Sequence, residues 1–134
     1  MTDEEFLTAF ETTQLGAQDF DHTAHVRAAF LLIQRHGFAH AVPSYCTALQ
    51  ALTRRFGVPQ KYHETITIAF LALINERLAS TPDTDWDSFC ARHADLFCGN
   101  ALLAYYTPAQ LAQPAARRTF QLPHRQLANC EPPA

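Results

Sequence analysis

Two short stretches of this chain carry residues suited to chemistry. Phe20-Asp21-His22-Thr23-Ala24-His25 sets two imidazoles three residues apart, and Lys61-Tyr62-His63-Glu64-Thr65 sets a third beside a carboxylate. On an α-helix, positions three apart lie about 60° apart around the axis, so His22 and His25 share a face. Thr23, Arg27 and Gln34 mark the solvent side of the helix that begins here, which turns both rings inward. His63 aligns with Ile66, Phe70 and Ile74 on the apolar face of a later helix and turns inward as well. Neutral imidazole ligates metal, and the positive end of a helix dipole disfavours the protonated form. Two or three histidines and one carboxylate around an open position is the arrangement by which zinc activates water and non-haem iron handles oxygen. The expectation is a divalent metal, zinc or iron, held by His22, His25 and His63. Glu64 is the candidate further ligand or general base, and Asp21 and Tyr62 are the candidate pocket residues that orient the others.

These side chains meet only if the elements that carry them come together. The chain has 134 residues, 48% hydrophobic and 17% charged with only 4 glycines, which suits one globular domain with a single core. Apolar residues recur at helical spacing and no sustained alternation demands a strand, so the fold class expected is all-α. Thr2 and Glu5 form a capping-box pattern ahead of a helix ending near Thr13. A second helix runs from Asp21 as N-cap to Gly37, and a third from about Ala41 to Phe56 with Pro43 in its first turn. A fourth covers roughly 61–79 with His63 in its first turn, and Thr84 with Asp87 caps a short helix carrying Trp86, Phe89 and Cys90. A short helix at 100–106 and a Thr107-Pro108 helix start follow. The reading is a single-domain bundle of four main helices plus short C-terminal ones over 1–120, with a tail at 121–134 that is draped over the core or mobile. Short connections make neighbouring helices antiparallel, which brings the N-terminal ends of the second and fourth helices to one end of the bundle. The three imidazoles converge there.

The remaining candidates are weaker. His36 and His40 read as surface residues at the opposite end, and His93 and His124 have no evident partners. Arg77 falls on the apolar face of the fourth helix, 14 residues after His63, roughly 21 Å along it, so it cannot serve the same site and is expected either in an internal ion pair elsewhere or as a snorkelling side chain. Cys46, Cys90 and Cys98 sit among apolar neighbours as small buried hydrophobes, while Cys130 falls in the proline-rich tail. The four cysteines include no Cys-x-x-Cys pair, which suits a reducing compartment.

Composition narrows the partners. A formal net charge of −3 with a single lysine disfavours electrostatic capture of nucleic acid. The longest apolar runs, Ala28–Ile33 and Ile68–Ile74, fall far short of the roughly 20 residues that cross a bilayer, so no membrane span is expected. The acidic start, Met1-Thr2-Asp3-Glu4-Glu5, is unlike a secretory signal and favours a cytoplasmic location. Nucleotide-binding glycine loops, His-Glu-x-x-His and Gly-x-Ser-x-Gly are all missing. The Phe20-x-His22-x-x-His25-x-Arg27 and Lys61-Tyr62-His63-Glu64-Thr65 segments together resemble a group of small, uncharacterised all-α bacterial proteins, over most of residues 17–120. That resemblance supports the pairing of the two segments and implies no particular activity. Two functions stay open: a small metal-dependent enzyme, hydrolytic or oxidative, acting on a small molecule in a His-lined cavity, and a non-catalytic ligand-binding or assembly module. In the second the histidines are structural and a second copy of the chain is a candidate partner.

Overall fold

The computed structural model describes residues 1–82 and 84–124. Among them the regular structure is helical throughout. Helix α1 spans Asp3–Glu11, α2 His22–His36, α3 Phe38–Arg55 and α4 Glu64–Ser80. Shorter helices α5 (Trp86–Arg92), α6 (Pro108–Leu111) and α7 (Pro114–Arg118) follow, with 3₁₀ turns at Ala17–Asp19, Pro59–Lys61, Ala94–Phe97 and Ala101–Ala104. This is the all-α fold expected, with four main helices and short C-terminal ones. No helix among the described residues is long and apolar enough to cross a membrane.

Helices α2, α3 and α4 pack on one another, α1 covers α2 and α3, and α7 lies against α4. The centre is filled by Phe10, Phe30, Leu32, Leu52, Leu71 and Ile74, each almost wholly removed from water. Burying one such side chain favours the fold by about 1.5–3 kcal/mol, so this layer fixes the relative positions of the helices that carry the histidines. Caps set where those helices begin. Asp21 accepts from the Ala24 N–H at 2.9 Å and starts α2 as expected, and Thr107 accepts from the Gln110 N–H ahead of Pro108. Gly37, at φ 82°, ends α2 and starts α3 in one residue. A Cβ is strained at that φ, which is why the two helices can turn on a single glycine there.

Five local expectations are corrected. Helix α3 begins at Phe38, so Pro43 lies in its second turn and not its first. Helix α4 begins at Glu64, because Pro59–Lys61 forms its own turn and His63 stands before the helix as the N-cap. The short helix at Trp86 is capped by Asp85, whose carboxylate accepts from the Ser88 N–H at 2.7 Å, and not by Thr84. Residues 101–104 form a 3₁₀ turn in place of an α-helix, and Cys98 is exposed where burial was expected.

The C-terminal segment is tied down as far as Gln121–His124. Thr65, fully buried, donates its hydroxyl to the Ala116 and Thr119 carbonyls and accepts from the Gln121 N–H. Tyr106 donates to the Gln121 carbonyl, and the Gln110 side-chain amide brackets Leu122 and His124. The rest of the expected tail, Cys130 included, lies outside the described residues.

Candidate functional site

The N-terminal ends of α2 and α4 meet the C-terminal half of α3, and the space between them is not filled. A cavity of about 520 Å³ is walled by Phe20, His25, Phe56, Tyr62, His63 and Ile66, among others. A second, about 110 Å³, shares His25, Leu49, Ile66 and Thr67 with it and adds His22 and Phe70. A third, about 250 Å³, shares His22, Ile66 and Phe70 with the second and reaches Asn100 and Leu103. The shared walls make one cleft with Ile66 bordering all three parts. Ile66 is 38% exposed, although its spacing with Phe70 and Ile74 reads as core; Ile74 alone of the three is fully buried. The first part has a volume ordinary for a small-molecule site.

The three histidines do line this cleft, but as separate groups with separate partners. His22 is exposed; its Nε2–H donates to the Leu96 carbonyl at 2.9 Å, and its ring meets Phe70 edge-on. His25 donates from Nδ1 to the Asp21 carbonyl at 2.7 Å and stacks on Phe20 with 3.9 Å between ring centres. Tyr45, buried, donates to the His25 carbonyl at 3.1 Å and secures that turn. His63 is buried and spends both ring nitrogens on the fold. Its Nδ1 accepts from the Ile66 N–H at 3.1 Å and its Nε2–H donates to the Leu111 carbonyl at 2.7 Å.

This division decides what each ring can do. A metal ligand needs a free lone pair, and His63 has none while it caps α4 and holds α6. The residues present therefore do not fit a three-histidine metal centre in this arrangement. Among the described residues no three His, Cys, Asp or Glu side chains are grouped to hold a metal ion. Glu64 faces the Tyr62 hydroxyl, which donates to its Oε1 at 2.5 Å, and is not among the residues that wall the cleft. Asp21 acts on His25 through its backbone carbonyl, its carboxylate being spent on the helix cap. Tyr62 is among the residues that line the cleft.

Among the described residues His25 keeps one ring nitrogen without a protein partner, as does the exposed His22 at Nδ1. With the Nδ1 of His25 carrying the proton to Asp21, its Nε2 is left with a lone pair and has no hydrogen bond to the protein among the described residues. Burial holds this ring below the ordinary histidine value, against the opposing effect of its bond to Asp21, so it is neutral at pH 7. His25, on the wall shared by two parts of the cleft, thus offers a hydrogen-bond acceptor there. No family model, curated protein or solved structure matches this chain. What the cleft does must be read from its own geometry.

Sequence reasoning missed the cleft's apolar walls. Phe20 had a usable signal, since an aromatic residue just before the helix cap can fold back on the ring at His25. Lys61 and Ile66 had none that separates a cavity wall from ordinary surface or core. His93 also has a partner that was not foreseen. Arg77 donates to its Nδ1 at 3.2 Å while holding Asp95 in two bonds of 2.9 and 2.8 Å, which is the ion pair expected of Arg77. Among the described residues the buried Nε2 of His93 has no partner, and burial and then Arg77 keep this ring below the ordinary histidine value as well. Cys46 is no nucleophile at neutral pH, because burial pushes its thiol up.

A pH dependence follows from the two depressed histidines. The unfolded chain takes up protons at His25 and His93 near pH 6.5, before the folded protein does, so acid favours unfolding in that range. Asp85 and Asp95 are held below the usual carboxylate value, by the Ser88 N–H and by Arg77 respectively, and act only at lower pH. Thermal melts are expected to show stability falling from pH 7.5 to pH 5.5, with a shallower fall for a His25→Leu, His93→Leu double variant. Equal slopes for the two proteins would contradict this assignment.

Proposed function

We propose that this chain is a ligand-binding module that holds a small, mostly apolar molecule in the cleft beside α2 and α4, with His25 Nε2 accepting a hydrogen bond from it. The observation that carries this reading is the state of His25. Its ring is fixed by Asp21 and Phe20, its tautomer is set by that bond, and the residue lines two parts of the cleft while its Nε2 has no protein partner among the described residues. A mostly apolar site with an acceptor fixed in place at His25 favours molecules that bring a donor to it and otherwise bury carbon. His22 and His63 support this reading as fixed walls, each spending a nitrogen on a backbone carbonyl from a later element.

N-phenyl-1-naphthylamine, a neutral apolar fluorophore with one N–H, is the direct probe. It is expected to bind one to one with enhanced emission. His25→Leu keeps the wall apolar but removes the acceptor, and a net hydrogen bond of about 0.5–1.5 kcal/mol corresponds to an affinity about three- to tenfold weaker. No saturable emission with the wild-type chain would end this reading. Equal affinity in the variant would remove His25 from the recognition.

A further inference from the structure

One charged side chain borders the cleft. Among the described residues the walls of all three parts are apolar residues, histidines, threonine, tyrosine, asparagine and glycine, with Lys61, in the largest part, alone carrying charge. That is unusual in a chain whose only lysine it is and whose net charge is −3. Its position is also fixed by the backbone on either side. Arg117, from α7, donates to the Gln60 carbonyl at 2.6 Å and to the Tyr62 carbonyl at 3.2 Å, and the Lys61 N–H donates to Val58. The turn at Pro59–Lys61 is therefore held to α7, and it sets Lys61 in the wall of a hollow whose other described walls are uncharged. Glu64, the nearest acid in sequence, is engaged with Tyr62 and does not wall the cleft.

We infer that the ligand is an amphipathic monocarboxylate. Its anionic head lies at Lys61, and its apolar body runs past Ile66 toward Phe70, carrying the donor that His25 accepts. The inference rests on the ligand-binding reading above and adds the head group to it. A cation would meet Lys61 with repulsion. A dianion would bring a second charge into walls that offer it no partner, at a desolvation cost that nothing in the cleft offsets.

Indole-3-butyrate and indole-3-butanol separate the two layers, because they share the ring and the N–H and differ in the head. Each is titrated by displacement of N-phenyl-1-naphthylamine from the full chain, at low and at high salt. The butyrate-to-butanol affinity ratio is expected to fall about two- to fivefold in Lys61→Met, the range of a partly exposed ion pair, and to fall with salt in the wild type. Lys61→Glu is expected to lower the ratio further, by replacing attraction with repulsion. Lys61 is exposed and its side chain holds no other element, so these variants fold. A ratio unchanged by Lys61→Met overturns the carboxylate assignment while leaving the cleft as a ligand site. Failure of both indoles to displace a fluorophore that does bind overturns the carboxylate assignment alone, and failure of the fluorophore to bind overturns both.

Discussion

Replacing Ile66 by tryptophan is expected to abolish ligand binding, by at least about fiftyfold, while leaving the fold in place. Ile66 is the one residue common to all three parts of the cleft, so an indole there occupies the space that a ligand needs. The same side chain is 38% exposed, which means that enlarging it does not force atoms into a packed core. Overpacking a filled site costs about 1–3 kcal/mol; filling a hollow costs little and often helps. Calorimetric titration with indole-3-butyrate reads the loss, and a melting temperature within a few degrees of wild type reads the intact fold. Full binding by a folded Ile66→Trp protein would place the ligand somewhere other than this cleft. The contrast with Ile74→Trp is useful, since Ile74 lies on the same helix but is fully buried, and that variant is expected to melt earlier.

The same residue shows where sequence reasoning stops. A 3.6-residue repeat says that Ile66, Phe70 and Ile74 share a face, but the repeat is the same whether that face meets another helix or an empty volume. Ile74 meets the core and Ile66 meets the cleft, and only the arrangement of α2 and α3 around α4 decides between them. Helix α2 was legible at both ends, because Asp21 is a strong cap and Gly37 a strong terminator. The start of α4 was not, because histidine lies outside the usual set of N-cap residues and Lys61-Tyr62 reads as helix. The inward direction of His63 followed from spacing, whereas His25 is half-buried and His22 is exposed, because the start of α2 lies at the open cleft and not against a packed helix. The partners of the three rings did not follow from it, since all three lie against backbone carbonyls, of Leu96, Asp21 and Leu111, and every residue type carries one. Three rings on neighbouring walls read as a ligand set until it is known that each has already been given a bond. The pairing of Arg77 with an acid was legible from an unmatched charge on an apolar face, whereas Asp95 and His93 as its partners depended on how residues 93–97 fold back.

His63 is where the metal-centre and structural readings make opposite predictions. The ring is 6% exposed and does two jobs: Nδ1 supplies the cap that the α4 N-terminus would otherwise lack, and Nε2–H satisfies the Leu111 carbonyl. His63→Ala removes both. A lost N-cap costs about 1 kcal/mol and a buried carbonyl left without its donor about 1–3 kcal/mol, so the variant is expected to be less stable by about 3 kcal/mol. For a domain of this size that is a fall in melting temperature on the order of 10 °C. His63→Asn returns an acceptor to the cap and is expected to recover about 1 kcal/mol of the loss. Zinc then separates the readings. A site that used His63 would stabilise the wild type by about 2.7 kcal/mol at a hundredfold excess over its dissociation constant, and the variant would lose that response. Because both ring nitrogens are committed to the fold, the wild type and His63→Ala are expected to shift by the same amount on adding zinc, including any shift from the exposed His36–His40 pair, whose rings lie 4.8 Å apart. A zinc stabilisation present in the wild type and missing from His63→Ala would show that the ring leaves Leu111 and Ile66 to bind metal, and would return the cleft to a three-histidine centre.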